Sequence, residues 1–449
     1  MFLGQILKSV KGSQKKIPIK GISFNSKKTK KNFIFFAIEG DKVSGTKYIK
    51  EAISYGASVI VSEKKIKSPI QKVIFILVKD SRKSLAEASS NFYKKKPKHL
   101  VAVTGTNGKS SVADFFYQIL SLNKISVASI GTLGILSKNY KKKIKLTSID
   151  SPSLHKNLNI LAKNKIEHVI LEASSHGLMQ KRLNYLHIKT GIFTNLGHDH
   201  LDYHKNMKSY LNAKMYLFKK IIHKDSKIIT DEDINEYKNI KKIAKKRNIK
   251  KITIGSNSGN IKILNYKYKK NKQFVKISIN KKKIILEIPL IGFFQVKNLL
   301  MAILAASYCG LDKKKIFKQI HQIKPVTGRL ECVAKLNNNS KIIVDFSHTP
   351  DALEQSLIEL QKQFKKQILI VFGCGGERDK EKRFKMGMIA KKYCKKIFIT
   401  DDNPRNESPK KIRKEILKAC KKKAVEIGDR KNAIQTAIKQ MCPNEILLV

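Results

Sequence analysis

The sequence predicts an α/β protein of several units, and three observations predict it. Apolar strand patterns alternate with amphipathic helix patterns along the chain. The stretch His99-Leu-Val-Ala-Val-Thr-Gly-Thr-Asn-Gly-Lys-Ser-Ser111 runs from a strand through a Gly-rich turn into a helix. A length of 449 residues supports about three domains, each able to bury a core of its own.

Residues 1–95 read as a small α/β unit with a strand at 32–39, a helix at 48–55 and a strand at 57–62. The run Lys94-Lys95-Lys96-Pro97 breaks the periodicity and reads as a linker. From 98 to 324, strands near 99–103, 168–172 and 189–194 alternate with helical stretches at 109–121 and 206–219, the pattern of a mostly parallel, doubly wound sheet. Within it, alternating segments at 261–268, 274–279 and 283–288 predict an antiparallel flap, followed by an apolar helix near 294–309. From 325 to 449, strands at 341–346, 367–372, 395–399 and 444–449 alternate with helices and make a third α/β unit. Ligands of such sheets bind outside the carboxyl ends of strands, where the polar clusters 373–379 and 401–407 lie.

The net charge of +59 would ordinarily point to nucleic acid or an anionic membrane. Only nine of the 93 basic residues are Arg, the lysines are spread along the whole chain, and aromatics are not interleaved with them as a stacking platform needs. No nucleic-acid partner is therefore expected. The six cysteines form no CxxC pair and no cluster with zinc spacing, which predicts a reducing cytoplasm. The first residues have too short an apolar run for a signal peptide, and there is no run of 18 apolar residues, so no stable membrane association is expected.

The stretch at 99–111 reads as a phosphate cradle. Gly105 and Gly108 let backbone N–H groups converge on phosphate oxygens, and the helix opening at Lys109 adds its positive N-terminal end. Lys109 would neutralise phosphate charge and the Ser110 hydroxyl would hold Mg2+. The strict Walker pattern asks for Gly where Val103 stands, but a bare turn would not require Lys followed by Ser. Glu172 ends a strand and precedes Ala-Ser-Ser-His-Gly-Leu-Met-Gln-Lys-Arg, which places a carboxylate, hydroxyls, Gln180 and Arg182 on one strand-end loop. An anionic substrate and Mg2+ would find partners there; the competing reading is a capped loop whose Ser and His bond their own backbone. After the next strand, three His and two Asp fall within residues 198–204, pointing to a metal or phosphate site. Lys214, at the centre of a predicted helix, is by itself an ordinary helix lysine. Arg329 and Asp345 flank the junction into the third unit. There, Gly-Cys-Gly-Gly-Glu-Arg378-Asp offers a carboxylate receptor, and Asp402, Asn403 and Arg405 around the rigid Pro404 offer a second. Two such receptors suit a small zwitterion with two acid ends.

Taken in order, these pieces resemble the Mur ligases, among them the UDP-N-acetylmuramoyl-tripeptide synthetases. The resemblance spans all three units through Asn25-Ser-Lys, Thr-Gly-Thr-Asn-Gly-Lys-Ser, Glu-Ala-Ser-Ser-His-Gly, Thr-Asn-Leu-Gly-His-Asp-His-Leu-Asp-Tyr-His, Val-Asp-Phe-Ser-His-Thr-Pro-Asp, Phe-Gly-Cys-Gly-Gly-Glu-Arg-Asp and Asp-Asn-Pro-Arg. It implies a UDP-substrate-binding domain at 1–95, a central P-loop ATPase at 98–324 and a Rossmann-like amino-acid domain at 325–449. It also implies ATP-dependent amide formation on the D-Glu γ-carboxylate of UDP-MurNAc-L-Ala-D-Glu, with Mg2+ as cofactor, in a cytoplasmic monomer. By position, Ser110, Glu172 and His200 are the implied Mg2+ ligands, and Lys214 the implied N6-carboxylysine, a CO2-derived carbamate that would ligate metal. ATP would meet Gly105, Thr106, Asn107, Gly108, Lys109, Ser110, Ser111, Asn298, Arg329 and Asp345. The UDP-substrate would meet Ser26, Asp41, Lys42, Val43, Thr147, Ser148, Ser174, Gln180 and Arg182. Asp402, Asn403, Pro404 and Arg405, with Arg378, match the members that add meso-diaminopimelate rather than L-lysine.

Three departures stand out. Leu146 occupies a position that is polar in several relatives, Gln295 replaces a frequent Asn, and the chain ends at Val449 before a Gly-Lys-Gly-His-Glu-like loop expected to hold the distal ammonium of diaminopimelate. That ending raises the alternatives of an incomplete sequence or of a nucleotide-binding protein without full ligase activity. A folylpolyglutamate synthetase-like ligase is a further alternative, opposed by Gln180, Arg182 and the Asp-Asn-Pro-Arg motif; an RNA-binding protein would be the reading from charge alone.

Overall fold

The computed structural model describes residues 1–40, 43–66, 73–144, 146–269, 272–377 and 379–449. Two contact-defined units account for them. The first comprises Met1–Ala102, Ser126–Gly191 and Tyr216–Ser226, and the second Val103–Ile125, Ile192–Met215 and Lys227–Val449.

In the first unit, β1 (Gly21–Ser23), β2 (Phe33–Ala37), β3 (Ala57–Ser62) and β4 (Ile74–Leu77) form a parallel sheet in that order. β2 and β3 read as nearly unbroken apolar runs because both faces of a parallel sheet are covered. Ile34, Phe36, Val59 and Val61 pack with Leu85 and Ala88 of the Ser81–Phe92 helix, whereas Phe35, Ala37 and Ile60 pack with Ile49 and Ala52 of the Ile49–Ser54 helix. Asp80 starts the Ser81–Phe92 helix by accepting from Lys83 N at 2.8 Å. A second sheet holds β5 (His99–Thr104), β6 (Val127–Gly131), β7 (Gly134–Ser137), β8 (Lys141–Lys142), β9 (His168–Glu172) and β10 (Ile188–Phe193), in the order β10-β5-β9-β6-β7-β8. β6 pairs parallel with β9, and β6, β7 and β8 form an antiparallel meander. The last residues of β5 and β10 belong to the second unit.

In the second unit, β11 (Lys227–Asp231), β12 (Lys250–Gly255), β13 (Ile261–Lys269), β14 (Lys272–Ile279) and β15 (Lys282–Ile288) lie side by side in sequence order. The first two pairings are parallel and the last two antiparallel, so the expected flap is present. The Phe293–Ser307 helix is apolar around most of its circumference and accordingly buried on most sides, packed against the Lys109–Leu122 helix. A further sheet contains β16 (Glu331–Lys335), β17 (Lys341–Val344), β18 (Ile368–Phe372), β19 (Lys396–Ile399), β20 (Ala424–Glu426) and β21 (Ile446–Leu448), ordered β16-β17-β21-β18-β19-β20. Only the β16–β17 pairing is antiparallel. Ile368, Ile370 and Phe372 face Leu353 and Leu357, while Leu369 and Val371 face Ala433 and Ala437. This alternation buries both faces, as period-two side chains require.

One expected element is refined. The helical stretch expected at 206–219 is present as Met207–Tyr216, which continues into a π-turn at Leu217–Ile221 and so keeps Lys214 near its middle. What was not expected is the π geometry of its last turn and the short Leu201–His204 helix before it, set apart by Lys205 at φ 66°. Local pattern does not single out strands β1, β4, β11, β12, β16 and β20 or the β6-β7-β8 meander. Among the described residues, no helix is long and apolar enough to cross a membrane. All six cysteines are free thiols.

Candidate active site

The phosphate-loop geometry lies in the second unit and begins where β5 ends. Gly105 (φ 151°) and Gly108 (φ 85°) adopt conformations that L side chains resist. At Gly108 a Cβ would also stand 2.5 Å from Asn298 Oδ1, so the loop can approach the Phe293–Ser307 helix only without a side chain there. The loop is laced to the segment after β10. Asn107 N donates to Asn195 Oδ1 at 2.9 Å, Thr194 Oγ1 donates to Asn107 O at 2.6 Å, and Thr106 Oγ1 accepts from Gly197 N at 3.0 Å. Lys109 Nζ turns back to donate to Gly105 O at 3.0 Å and Thr106 O at 2.7 Å. Ser110 and Ser111 are buried in the first helical turn.

Lys214 reaches the same loop. Its Nζ donates to Gly105 O at 2.7 Å and stands 4.2 Å from the centre of the Tyr210 ring, with the side chain wholly enclosed. Burial, reinforced by the charge of Lys109 and only partly opposed by Asp199, holds this amine well below the usual lysine range. Tyr210, four residues earlier on the same helix face, is hydrogen-bonded through its hydroxyl to Thr106 Oγ1 at 3.2 Å.

His200 takes a left-handed backbone, φ 54°, and its Nε2 lies 3.3 Å from Asp199 Oδ2. Asp199 Oδ2 is also 3.4 Å from His348 Nε2. Burial would raise the Asp199 carboxyl, but the bond from His348 and the charges of His200 and His348 outweigh it and keep the group below the usual carboxylate range. His198 N donates to Asp351 Oδ2 at 3.1 Å, and its ring is 3.5 Å from Asp379. His204 is buried against Tyr203 and Tyr210 and belongs to the core.

Asn298 Nδ2 donates to Gln295 Oε1 at 3.1 Å, and Gln295 Nε2 donates to Arg329 O at 3.3 Å. The Arg329 guanidinium lies over the Phe346 ring at 4.4 Å and donates to Ser110 Oγ at 3.4 Å. Asp345 accepts from Leu330 N at 3.0 Å and from Ser356 Oγ at 2.8 Å. The structure thus brings Ser110, Asn298 and Arg329 toward one loop, with Gln295 as the brace between the last two.

A second constellation lies in the first unit. Glu172 is buried at the end of β9 and accepts from Thr132 N at 2.7 Å and Thr132 Oγ1 at 3.1 Å; the Thr132 and Thr147 hydroxyls are 3.1 Å apart. Ser148 Oγ donates to Glu172 O at 2.7 Å and accepts from Ser174 N at 2.9 Å. Ser174 caps the Ser175–Met179 helix by accepting from Gly177 N at 3.1 Å. Arg182 donates to Gln180 Oε1 at 2.5 Å and to Ser148 O. The capped-loop reading is therefore true of Ser174, and the loop still gathers Thr147, Ser148, Gln180 and Arg182 near the carboxylate. Ser26 is buried at the start of the Ser26–Lys28 turn, and Val43 is exposed.

In the second unit the two strand-end loops expected to receive an amino acid are joined. Arg405 Nη1 donates to Gly376 O at 2.5 Å, and Gly376 N donates to Asn403 O at 2.9 Å. Arg405 N donates to Asn403 Oδ1 at 3.3 Å across Pro404, and Asp402 and Asn403 are exposed. Asp41, Lys42 and Arg378 lie outside the described residues.

Comparison with known proteins follows the same three-part order. Residues 18–93 match the Mur ligase family catalytic domain, residues 103–306 the Mur ligase middle domain, and residues 328–449 the Mur ligase glutamate ligase domain. A UDP-N-acetylmuramoyl-L-alanyl-D-glutamate--2,6-diaminopimelate ligase of Rickettsia montanensis is 41% identical over 438 residues, covering 96% of this chain and 90% of that protein. The chain belongs to the Mur ligase family. A ligase of the same name from Rhizobium meliloti (strain 1021) is 37% identical over 440 residues, covering 98% of this chain and 90% of that protein. Among solved structures, one of a ligase of that name superposes with a TM-score of 0.75 at 27% identity, covering 100% of this chain and 92% of that one. The MurF ligase of Thermotoga maritima in complex with ADP, at 19% identity and TM-score 0.66 over 96% of this chain and 93% of its own, shares the fold.

Several groups around these Mur ligase loops escaped the sequence reading. Thr132 follows the end of β6, a position where strand-end logic alone would have pointed to it. Tyr210 is legible only as the i−4 neighbour of Lys214. Asp199 lies in the 198–204 cluster that the sequence singles out, but its pairing with His348, like the contacts of Arg383, has no local signal because the partners lie far away in sequence.

Proposed function

We propose that this chain is an ATP-dependent ligase of peptidoglycan precursor synthesis. It joins meso-diaminopimelate to the D-Glu γ-carboxylate of UDP-MurNAc-L-Ala-D-Glu in the cytoplasm, releasing ADP and phosphate. Residues 1–95 bind the UDP moiety, 98–324 bind ATP, and 325–449 receive the amino acid. The observation that carries the choice of amine is Arg405, tied to Gly376 in a chain whose 41%-identical relative is named for diaminopimelate. A guanidinium fork suits a second carboxylate, which L-lysine lacks.

A carboxylate is a poor electrophile because its leaving group would be an oxide. Transfer of the ATP γ-phosphoryl group to the carboxylate oxygen breaks the bond to ADP and makes an acyl phosphate. The amine lone pair then attacks the acyl carbon, the nitrogen loses a proton, and the carbon–oxygen bond to phosphate breaks. The phosphoryl donor and its acceptor are both anionic, so the protein's work is mostly positioning and charge neutralisation. Lys109 and the backbone N–H groups opening its helix face the phosphates. Within the second unit the hydroxyl of Ser110 would offer Mg2+ a hard oxygen donor and His200 an imidazole, and within the first unit the carboxylate of Glu172 would offer another hard donor. Mg2+ would supply neutralisation of phosphate charge. The buried amine of Lys214, whose burial favours the unprotonated form, suits addition to CO2, which forms a nitrogen–carbon bond, releases one proton and yields a carbamate. Gln180 and Arg182 hold the peptide carboxylates, and Asn298, Arg329 and Asp345 hold the nucleotide.

Phosphate release from ATP, measured with UDP-MurNAc-L-Ala-D-Glu and either meso-diaminopimelate, L-lysine or no amine, tests this reading. Release that depends on diaminopimelate is expected. Equal release with L-lysine would overturn the amine assignment, and no release with either amine would overturn the ligase.

A further inference from the structure

Arg383 is the largest wholly buried side chain among the described residues, and nothing above gives it a role. It projects from the Glu381–Tyr393 helix between the two loops proposed to receive the amine donor. Its Nη1 lies 2.9 Å from Glu407 Oε2 and 2.8 Å from Glu415 Oε2, while its Nη2 donates to Glu407 Oε1 at 3.0 Å and to Gly375 O at 3.4 Å. Glu407 Oε1 in turn accepts from Glu377 N at 2.5 Å. One guanidinium therefore grips the 401–407 loop through a bidentate carboxylate and the 373–377 loop through a carbonyl. Those are the loops that Arg405 and Asn403 join from the other side through Gly376.

Burying a guanidinium is a costly way to add stability, since its desolvation offsets much of the attraction to Glu407 and Glu415, which stay partly exposed. What a planar fork supplies that apolar packing does not is a fixed separation and angle between its partners. We propose that Arg383 is a positioning residue that sets the spacing of the 373–377 and 401–407 loops, and through Arg405 the selectivity for an amine donor bearing a second carboxylate. This inference rests on the ligase reading given above.

The test uses the full chain with Arg383→Lys, Glu407→Gln and the double variant. Lysine keeps the charge but loses the fork. KM for diaminopimelate should rise about tenfold or more in each single variant, with KM for ATP unchanged and the preference for diaminopimelate over L-lysine reduced. The double variant should be no worse than the poorer single one, because both break one linkage. Amide hydrogen exchange at Gly376 and across 403–407 should accelerate, while 104–109 stays as in the wild type. Folded variants with unchanged KM for diaminopimelate, or with KM for ATP rising in parallel, would overturn the proposal. Should Arg383→Lys not fold, Glu407→Gln alone decides. If the wild-type chain shows no diaminopimelate-dependent release, the ligase reading has failed; loop exchange then still decides whether Arg383 positions these loops, and no acceleration overturns that too.

Discussion

Lys214 is the residue whose meaning changes most between sequence and structure. An exposed helix lysine would keep its usual pKa, but this one is enclosed, donates to Gly105 O and lies beside Lys109, so its amine is held well below the usual lysine range. A lysine with a depressed pKa lowers the stability of the fold at neutral pH, because the unfolded chain binds the proton that the folded chain refuses. Replacing it with an apolar side chain of similar length removes that cost along with the chemistry. Lys214→Met is expected to unfold at the same or a higher temperature than wild type at pH 7 while losing turnover by orders of magnitude. Lys214→Ala should regain part of its turnover with added short carboxylic acids that stand in for a carbamate. Wild-type turnover in either variant would remove Lys214 from the site.

The element that matters most is the strand-loop-helix from β5 into Lys109–Leu122. Its loop is held from three directions, by Asn195, by Thr194 and by Lys214, which leaves it little freedom to adjust. At Gly108 the positive φ and the approach of Asn298 act together. Strain at such a position is roughly 1–3 kcal/mol for a residue with a side chain. Gly108→Ala should therefore weaken ATP binding at least tenfold in calorimetric titration, while circular dichroism shows a folded chain; an unchanged Kd would mean that the loop moves freely away from Asn298.

Across the whole molecule the dominant physical fact is an excess of positive charge, +59 from 93 basic and 34 acidic residues. Self-repulsion of that size favours expansion, and salt screens it, with a Debye length of about 10 Å at 0.1 M. Raising NaCl from roughly 50 to 300 mM should raise Tm, and a Tm that falls or stays level would show that local ion pairs offset the excess. Acid acts through a different group. His155 is wholly buried on the Ser151–Lys163 helix, and burial, with help from the charge of Lys96, pushes it down to about 3. Its contribution is fully present above the unfolded value near 6.5 and is lost as pH falls toward about 3, since the unfolded chain takes up the proton first. The loss is on the order of a few kcal/mol. His155→Leu should move the acid-unfolding midpoint to lower pH, and an unchanged midpoint would place the acid-labile step elsewhere.

By itself the sequence determined the elements whose signal is local. The Gly-rich turn before Lys109, the period-two flap and the runs of β2, β3 and β18 depend on neighbours two to four residues apart, and they stand where local pattern places them. Ordered motifs likewise carried the family. Tertiary structure alone decided what depends on residues meeting from afar. It inserted the final strand β21 between β17 and β18, a choice that no local pattern encodes. It enclosed Lys214, turning a surface-like helix lysine into an amine held well below the usual lysine range, and it buried Arg383 between two loops separated by more than twenty residues of chain. Periodicity reports which face of an element is covered. What covers that face, and how far a charge lies from its partner, is set by the packing of the whole chain.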